Sequence, residues 1–350
     1  MDLGTNQILI TGANGWLGKT LIHSLINGIN NCAGIQKPQK NLVIKCLVLP
    51  GEDVKLISSL SENVKIFTGD ITNQEDCDYF TSKSANSILI HCAGIIHPPN
   101  VKHFFDINVG GAKNIINSSI KNKIKKIIAI SSNSPCGTNL TNEHIFDENN
   151  DYNPYLNYGK SKMLMEKLVK RSYDDGKINT VIIRPPWFYG PYQPDRQNRF
   201  YKMIRTGKVP IVGSGDYKRS MACTINISQA IIRAAISEKA NGQTYWIADK
   251  KPYTFNQIIT TIRNVMSEEF GIKCVEKKIK LPYFTSELAY FADVIIQKLG
   301  LYNQEIHVLS EMNKTIACSI NKAMVEINYY PQIDLYEGTY LSLKSSLKKA

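Results

Sequence analysis

Apolar positions along this chain follow two alternating rhythms. Short apolar runs at Ile8-Leu-Ile10, Leu42-Val-Ile-Lys-Cys-Leu-Val-Leu49, Val64-Lys-Ile-Phe67, Ile88-Leu-Ile90 and Lys126-Ile-Ile-Ala-Ile130 lead into glycine, proline, carboxylate or small residues, which predicts buried strands. Between them apolar residues recur at helical spacing, as in Leu21, Ile22, Leu25 and Ile26, in the stretch from Phe104 to Ser119, and in Met163, Leu164, Leu168 and Val169. Asn30 to Asn41, polar and carrying Pro38, reads as a long loop. Alternation of this kind predicts an α/β fold with a parallel sheet covered on both faces. Later in the chain Thr224-Ile-Asn-Ile227 and Gln243-Thr-Tyr-Trp-Ile-Ala248 read as short returning strands.

Ligands of such sheets bind beyond the carboxyl ends of the strands, so the residues there carry the functional expectation. The first strand feeds into Gly12, Gly15 and Gly18 and then into a helix. Gly12 suits the tight turn, Gly15 lets a ligand approach the backbone, and Gly18 lets helix pack on strand. A helix N-terminus presented this way favours an anionic diphosphate. After the second strand, where an acid or an arginine would select the ribose, stands Leu49, with Glu52 and Asp53 just beyond.

Composition narrows the class. With 350 residues, 43% apolar, the chain is long enough for a large α/β unit with an appended lobe. The net charge of +12 admits an anionic partner, but the basic residues are dispersed apart from short clusters such as Lys121 to Lys126 and Lys277-Lys278. No helix-turn-helix, zinc-finger or RNA-binding signature accompanies them, so no nucleic acid partner is expected. The eight cysteines show no Cys-x-x-Cys and no metal spacing with histidine, which predicts reduced buried thiols and no metal. No basic, then apolar leader opens the sequence. The most apolar stretch, Leu281 to Leu301, is interrupted by Glu287, Asp293 and Lys298, so a buried or surface-lying helix is expected there and no stable membrane insertion. A cytoplasmic location follows as the expectation.

A second constellation lies on a later helix. Tyr158 and Lys162 are four residues apart and so share one helical face. A free phenol titrates near ~10, and a neighbouring ammonium would bring it toward the range of a general base. Ser132, at the end of the fifth strand, is placed to donate to a substrate oxygen.

Taken in order, the Thr11-Gly-x-x-Gly-x-x-Gly18 turn, Asp70, Ala93-Gly94, Asn108, Ser131-Ser132 and Tyr158-x-x-x-Lys162 resemble the extended short-chain dehydrogenase/reductase family, in particular its NAD(P)-dependent epimerase/dehydratase branch. Arg184-Pro-Pro-Trp-Phe-Tyr-Gly-Pro191, the Gly213 to Asn226 segment with Arg219, and the stretch from Ser319 to Glu337-Gly338 are similar to that branch as well; about 265 to 315 is least matched. The resemblance implies a Rossmann-type doubly wound parallel sheet with a smaller C-terminal α/β substrate lobe. Residues 1–185 would bind NAD or NADP, with a return at about 222–248, and 186–221 with 249–350 would form the lobe. It also implies a homodimer and a small-molecule substrate.

Residue by residue, the resemblance implies that the backbone through Gly12, Asn14, Gly15, Trp16, Leu17 and Gly18 holds the cofactor pyrophosphate. Asp70 and Ile71 would face the adenine, Ala93, Gly94 and Asn108 the ribose side, and Pro185 the carboxamide. Tyr158 would be the acid/base, Lys162 would lower its pKa and bind the ribose, and Ser132 would orient the substrate. Asn133, Trp187, Arg199 and Arg219 fall on the substrate side, Arg219 where relatives using nucleotide-sugars hold the diphosphate; Lys202 and Lys218 would add positive charge. Asn133-Ser134 replaces the Asp-Glu pair of the family's 4,6-dehydratases, which disfavours dehydration. Cys136, Trp187 and Ser220 also depart from the usual pattern. The leading expectation is an epimerase or oxidoreductase on a nucleotide-sugar. Two alternatives are a 3β-hydroxysteroid or sterol dehydrogenase, suggested by the Arg-Pro-Pro run and Asn226, and a non-catalytic cofactor-sensing protein.

Overall fold

Alternate residues of each central strand point to opposite sides of one sheet, and this places its helices. A computed structural model describes residues 1–347. Strands β1 (Gln7–Thr11), β2 (Val43–Val48), β3 (Val64–Thr68), β4 (Ile88–His91), β5 (Lys126–Ile130) and β6 (Asn179–Arg184) alternate with α1 (Trp16–Asn27), α2 (Lys55–Ser58), α3 (Gln74–Thr81), α4 (Lys102–Phe105), α5 (Ala112–Lys121) and α6 (Leu156–Asp174). There follow β7 (Trp187–Tyr189), α7 (Asp195–Arg205), β8 (Pro210–Val212), β9 (Lys218–Arg219), β10 (Met221–Cys223), α8 (Thr224–Ile236) and β11 (Thr244–Trp246). The chain closes with β12 (Tyr253–Thr254), α9 (Phe255–Phe270), β13 (Ile279–Leu281), α10 (Phe284–Lys298), α11 (Gln304–Glu311), α12 (Asn321–Ile327) and α13 (Leu335–Leu347).

Seven strands form the sheet in the order β11-β6-β5-β4-β1-β2-β3, every neighbouring pair parallel. Ile8, Ile10, Ile128 and Ile130 pack with Leu21, Ile22 and Leu25 of α1 and Ile227 and Ile231 of α8. Leu9, Leu89, Ile127 and Ala129 pack on the other side with Phe80, Ile115, Met165 and Val169 of α3, α5 and α6. Each of these side chains larger than alanine contributes roughly 1.5–3 kcal/mol by leaving water. Strand order reverses between β1 and β4, opening a crevice at their carboxyl ends. A separate apolar cluster joins Tyr201 and Ile204 of α7, Ile258, Ile259 and Ile262 of α9, and Leu335 and Leu343 of α13.

Thr224 to Ile227 is not a strand. It begins α8, because Ile227, Ile231 and Ala234 continue at helical spacing and all are fully buried. The short strand lies just upstream, as β10 beside β7, and only β11 joins the main sheet.

Two lysines counted in the positive charge are buried inside the fold. Lys126, on β5, donates through Nζ to the carbonyls of Ala234, Ala235 and Ser237, at 3.2, 3.3 and 2.8 Å, and so closes the C-terminus of α8. Lys45, on β2, does the same beyond α3, donating to the carbonyl of Ser82 at 2.9 Å. An ammonium at a helix C-terminus satisfies orphan carbonyls and meets the negative end of the dipole. Lys126→Met should therefore lower stability by about 1–3 kcal/mol in urea unfolding, since three buried carbonyls lose their donor; an unchanged midpoint would remove the capping role.

Candidate functional site

The crevice between β1 and β4 begins with the glycine turn. Gly12 has φ +66°, and a Cβ there would lie 2.7 Å from the Ala93 nitrogen. Gly15 donates its N–H to the Gly12 carbonyl at 3.0 Å and stands as the N-cap of α1. A Cβ on Gly18 would lie 2.5 Å from the Ala13 carbonyl oxygen, so helix and turn touch there. The N-terminus of α1 has no side-chain cap and no acidic residue in its first turn. Trp16 and Leu17 turn their side chains elsewhere: the indole donates to the Pro191 carbonyl at 2.8 Å, and Leu17 is in the core. Asn14 donates to the Asp53 carbonyl at 3.1 Å, while its Oδ1 is buried without a hydrogen-bond partner among the described residues.

Asp70 closes β3; its carboxylate accepts from the Thr72 N–H at 2.8 Å, and Ile71 packs against Gly111. Ala93 donates to Thr11 Oγ1 at 3.3 Å. A Cβ on Gly94 would sit 3.0 Å from Asn108 Oδ1 and 3.9 Å from Lys162 Nζ, so these three residues meet. Asn108 reaches this place because Asp106–Gly111, between α4 and α5, widens into a π-helical turn, a bulge often found at functional sites. Its amide bridges the Ile95 N–H and carbonyl at 2.8 and 3.1 Å and donates to Ser161 Oγ at 3.0 Å.

At the far end stand Ser132, Tyr158 and Lys162. Lys162 is 6% exposed and donates to the Ile130 carbonyl at 2.7 Å; burial brings its pKa down to about 8. Burial pushes the Tyr158 phenol up to about 12, the Ser132 hydroxyl works in the opposite direction, Glu311 adds to the rise and Arg196 opposes it. The lowering influences on Tyr158 thus come from Ser132 and Arg196, whereas Lys162 is held on β5. Phe104 packs on the Tyr158 ring at 5.8 Å. Asn133 is buried beside Ser132, accepting from its hydroxyl at 3.3 Å, and Pro185 is buried just after β6.

Arg219 is 1% exposed, with its guanidinium over the Trp187 ring at 5.1 Å and the Tyr217 ring at 5.6 Å. It donates to the carbonyls of Glu311 and Lys218, its Nε has no hydrogen-bond partner, and it has no ion pair among the described residues. Burial holds its pKa down to about 10. Arg199, by contrast, is exposed and paired with Glu305 at 2.9 Å. The arginine of α7 whose charge acts on Tyr158 is Arg196, three residues earlier.

The sequence reading expects a buried or surface-lying helix over Leu281 to Leu301; the structure makes it α10, paired with α11 in a hairpin that reaches Tyr155 and Asn157. Asp293, fully buried, meets His307 Nδ1 at 2.7 Å and accepts from Gln297 at 2.9 Å. Gln297 in turn accepts from the Asn157 side chain at 2.9 Å, and Tyr155 shares a hydrogen bond with Ser310 at 2.7 Å. Tyr302 stacks edge-on against Phe104 at 5.2 Å and bonds His97 Nδ1 at 2.8 Å. Asp293 and Gln297, four apart in an otherwise apolar segment, were the available signal.

These residues fit a nicotinamide dinucleotide: a cradle that a Cβ would fill, an uncapped helix N-terminus, an unsatisfied Asn14 oxygen, and a cleft ending at Tyr158. Gly12→Ala is expected to weaken NAD and NADP binding at least about tenfold by calorimetry, because the new methyl is strained at positive φ and collides with Ala93. Unchanged affinity would place the dinucleotide elsewhere.

The family model described as 3-beta hydroxysteroid dehydrogenase/isomerase matches residues 9–282. A Sinorhizobium fredii (strain NBRC 101917 / NGR234) protein described as "Uncharacterized protein y4nL" is 41% identical over 349 residues, covering 99% of this chain and 97% of that protein. N-acetyl-alpha-D-glucosaminyl-diphospho-ditrans,octacis-undecaprenol 4-epimerase of Escherichia coli O157:H7 is 24% identical, covering 84% and 81%. The solved structure of UDP-glucuronic acid 4-epimerase from Bacillus cereus in complex with NAD superposes with a TM-score of 0.74 at 19% identity, covering 98% of this chain and 99% of that one.

Proposed function

The chain belongs to the 3-beta hydroxysteroid dehydrogenase/isomerase family of extended short-chain, NAD(P)-dependent enzymes, and on that premise we propose that it oxidises or epimerises a sugar hydroxyl carried on a diphosphate, as in a nucleotide-sugar. The observation that carries this reading is Arg219, a buried guanidinium that makes no salt bridge among the described residues and that shares with the Tyr158 phenol the influence of the Glu311 carboxylate. A buried cation is costly unless an anion meets it, and arginine suits phosphate oxygens.

In this reading the Gly12–Gly18 backbone holds the pyrophosphate, Asp70 and Ile71 flank the adenine, and Ala93, Gly94, Asn108 and Lys162 flank the ribose. The bound nicotinamide supplies the hydride acceptor and a positive ring. Tyr158 takes the hydroxyl proton as the substrate carbon is oxidised and returns it when the ketone is reduced. Ser132 holds the reacting oxygen. A phenol near 12 is protonated at neutral pH, which suits donation to a forming alkoxide; the Ser132 hydroxyl and the Arg196 charge favour the phenolate for the reverse direction. Asn133 and Ser134 offer no carboxylate for eliminating water, which supports oxidation or epimerisation over dehydration.

Arg219→Lys and Arg219→Ala should raise KM for UDP-sugars by roughly 10–100-fold with a smaller change in kcat, the loss of a hydrogen-bonded charge pair. Unchanged KM in a folded variant would sink the diphosphate assignment. A sterol alcohol is the second reading, favoured by Phe104 packed on Tyr158, by Tyr302 edge-on against Phe104 and by the matched family's description. In a sterol enzyme the same Arg219 variants would leave substrate KM untouched.

A further inference from the structure

Helix α10 is amphipathic in the reverse sense for a water-soluble lobe. It buries Ser286, Ala289, Asp293 and Gln297, while Phe284, Leu288, Phe291 and Ile295, with Leu299 just past its end, are 60–72% exposed. The exposed five recur at spacings of three or four, so they form one stripe along the helix. Its polar inner face is explained, since Asp293 and Gln297 hold His307 and Asn157. The outer stripe has no such explanation within the fold, and a contiguous apolar face of this size marks a contact with something apolar.

We propose that this stripe seats the protein on an anionic lipid bilayer, with α10 lying in the plane of the interface. The charges around it select that occupant. The segment leading into the helix carries Lys273, Lys277, Lys278 and Lys280 against Glu276 alone, and Lys298 ends it. On α10 itself Glu287 is paired with Lys314 and Asp293 is buried, so no free carboxylate stands in the stripe. A second copy of the chain packed on this face would bring lysines against lysines, whereas an anionic headgroup layer attracts them while the aromatic and aliphatic side chains enter the acyl boundary. No helix among the described residues is long and apolar enough to cross a membrane, so the attachment is peripheral. The proposal does not depend on which hydroxyl is oxidised. Its consequence for the site is geometric: the helix that faces lipid is the one whose other face braces the start of α6, just before Tyr158.

The test is vesicle flotation of the full chain with phosphatidylglycerol–phosphatidylcholine liposomes and with phosphatidylcholine alone. The unaltered protein should float with the anionic vesicles and lose most of that binding in phosphatidylcholine or high salt. Phe291→Glu with Ile295→Glu should reduce partitioning at least about tenfold, and Lys277→Gln with Lys280→Gln about 10–30-fold on anionic vesicles. Both pairs are at the surface, and an unchanged melting temperature and dinucleotide affinity would show that the fold is intact. Absence of flotation by the unaltered protein, equal flotation of the Phe291/Ile295 variant, or a dimer by light scattering that this variant dissociates would each overturn the proposal.

Discussion

Tyr158→Phe is expected to lower kcat by about 10²–10⁴-fold while NAD affinity stays within about twofold. The phenylalanine keeps the ring and its packing on Phe104, so the fold and the cofactor wall should survive. What disappears is the group that carries the proton in the proposed mechanism. Ser132 cannot substitute, since an aliphatic hydroxyl is a far weaker acid than a phenol and Ser132 is occupied with Asn133 and Ser134. Stopped-flow absorbance of the reduced nicotinamide, on a UDP-sugar that the unaltered enzyme converts, reads the step directly. Full activity in this variant would remove Tyr158 from the chemistry and leave only cofactor binding, as in a sensing protein. Arg196→Gln should act more mildly and move the pH profile, because it withdraws a charge that opposes the rise of the phenol.

Arg184→Met should be the most destabilising single change, about 3–5 kcal/mol in urea unfolding. Arg184 on β6 and Glu166 on α6 are 2% and 0% exposed and joined by two hydrogen bonds, at 2.9 and 2.6 Å; Tyr152 adds a third to the carboxylate at 2.8 Å. Burial alone would raise the Glu166 pKa, but the Arg184 hydrogen bonds and charge override it and hold it below 4.5. A depressed carboxylate gives stability that is present above its unfolded pKa and lost as pH falls through its folded value. Without Arg184 the buried carboxylate would take up a proton at a pH above its ordinary value of about 4.5, so the deficit of the variant should begin to narrow above that pH and go on narrowing as pH falls to the depressed value of the intact pair. Adding Glu166→Gln should recover part of the loss at neutral pH. A deficit constant with pH, or a double variant worse than the single, would show that packing around Tyr152 and Trp246 matters more than charge.

The crevice was legible in the sequence where its parts are local. A glycine turn between strand and helix, and a tyrosine and lysine on one face of a helix, are spacings along a single segment. Strand ends at Asp70 and Ala93-Gly94 became informative once the parallel alternation had been read. The substrate side was less legible. Arg199 and Arg196 sit on the same helix, and spacing along α7 does not say which of them acts on Tyr158; Arg199 pairs with Glu305, whereas the charge of Arg196 reaches the phenol. Thr224-Ile-Asn-Ile has the composition of a strand, and burial of Ile227 with Ile231 makes it a helix.

The amino-acid sequence alone determined the doubly wound sheet, because two hydrophobic periods and the glycine turn act within a few residues and leave the backbone little choice. Tertiary structure alone decided how α10 and α11 pack against the start of α6. Asp293 is buried and Phe291 exposed because His307 of α11 and Asn157 of α6 converge on Asp293 and Gln297, and pairing between elements of that kind has no periodic trace in the chain.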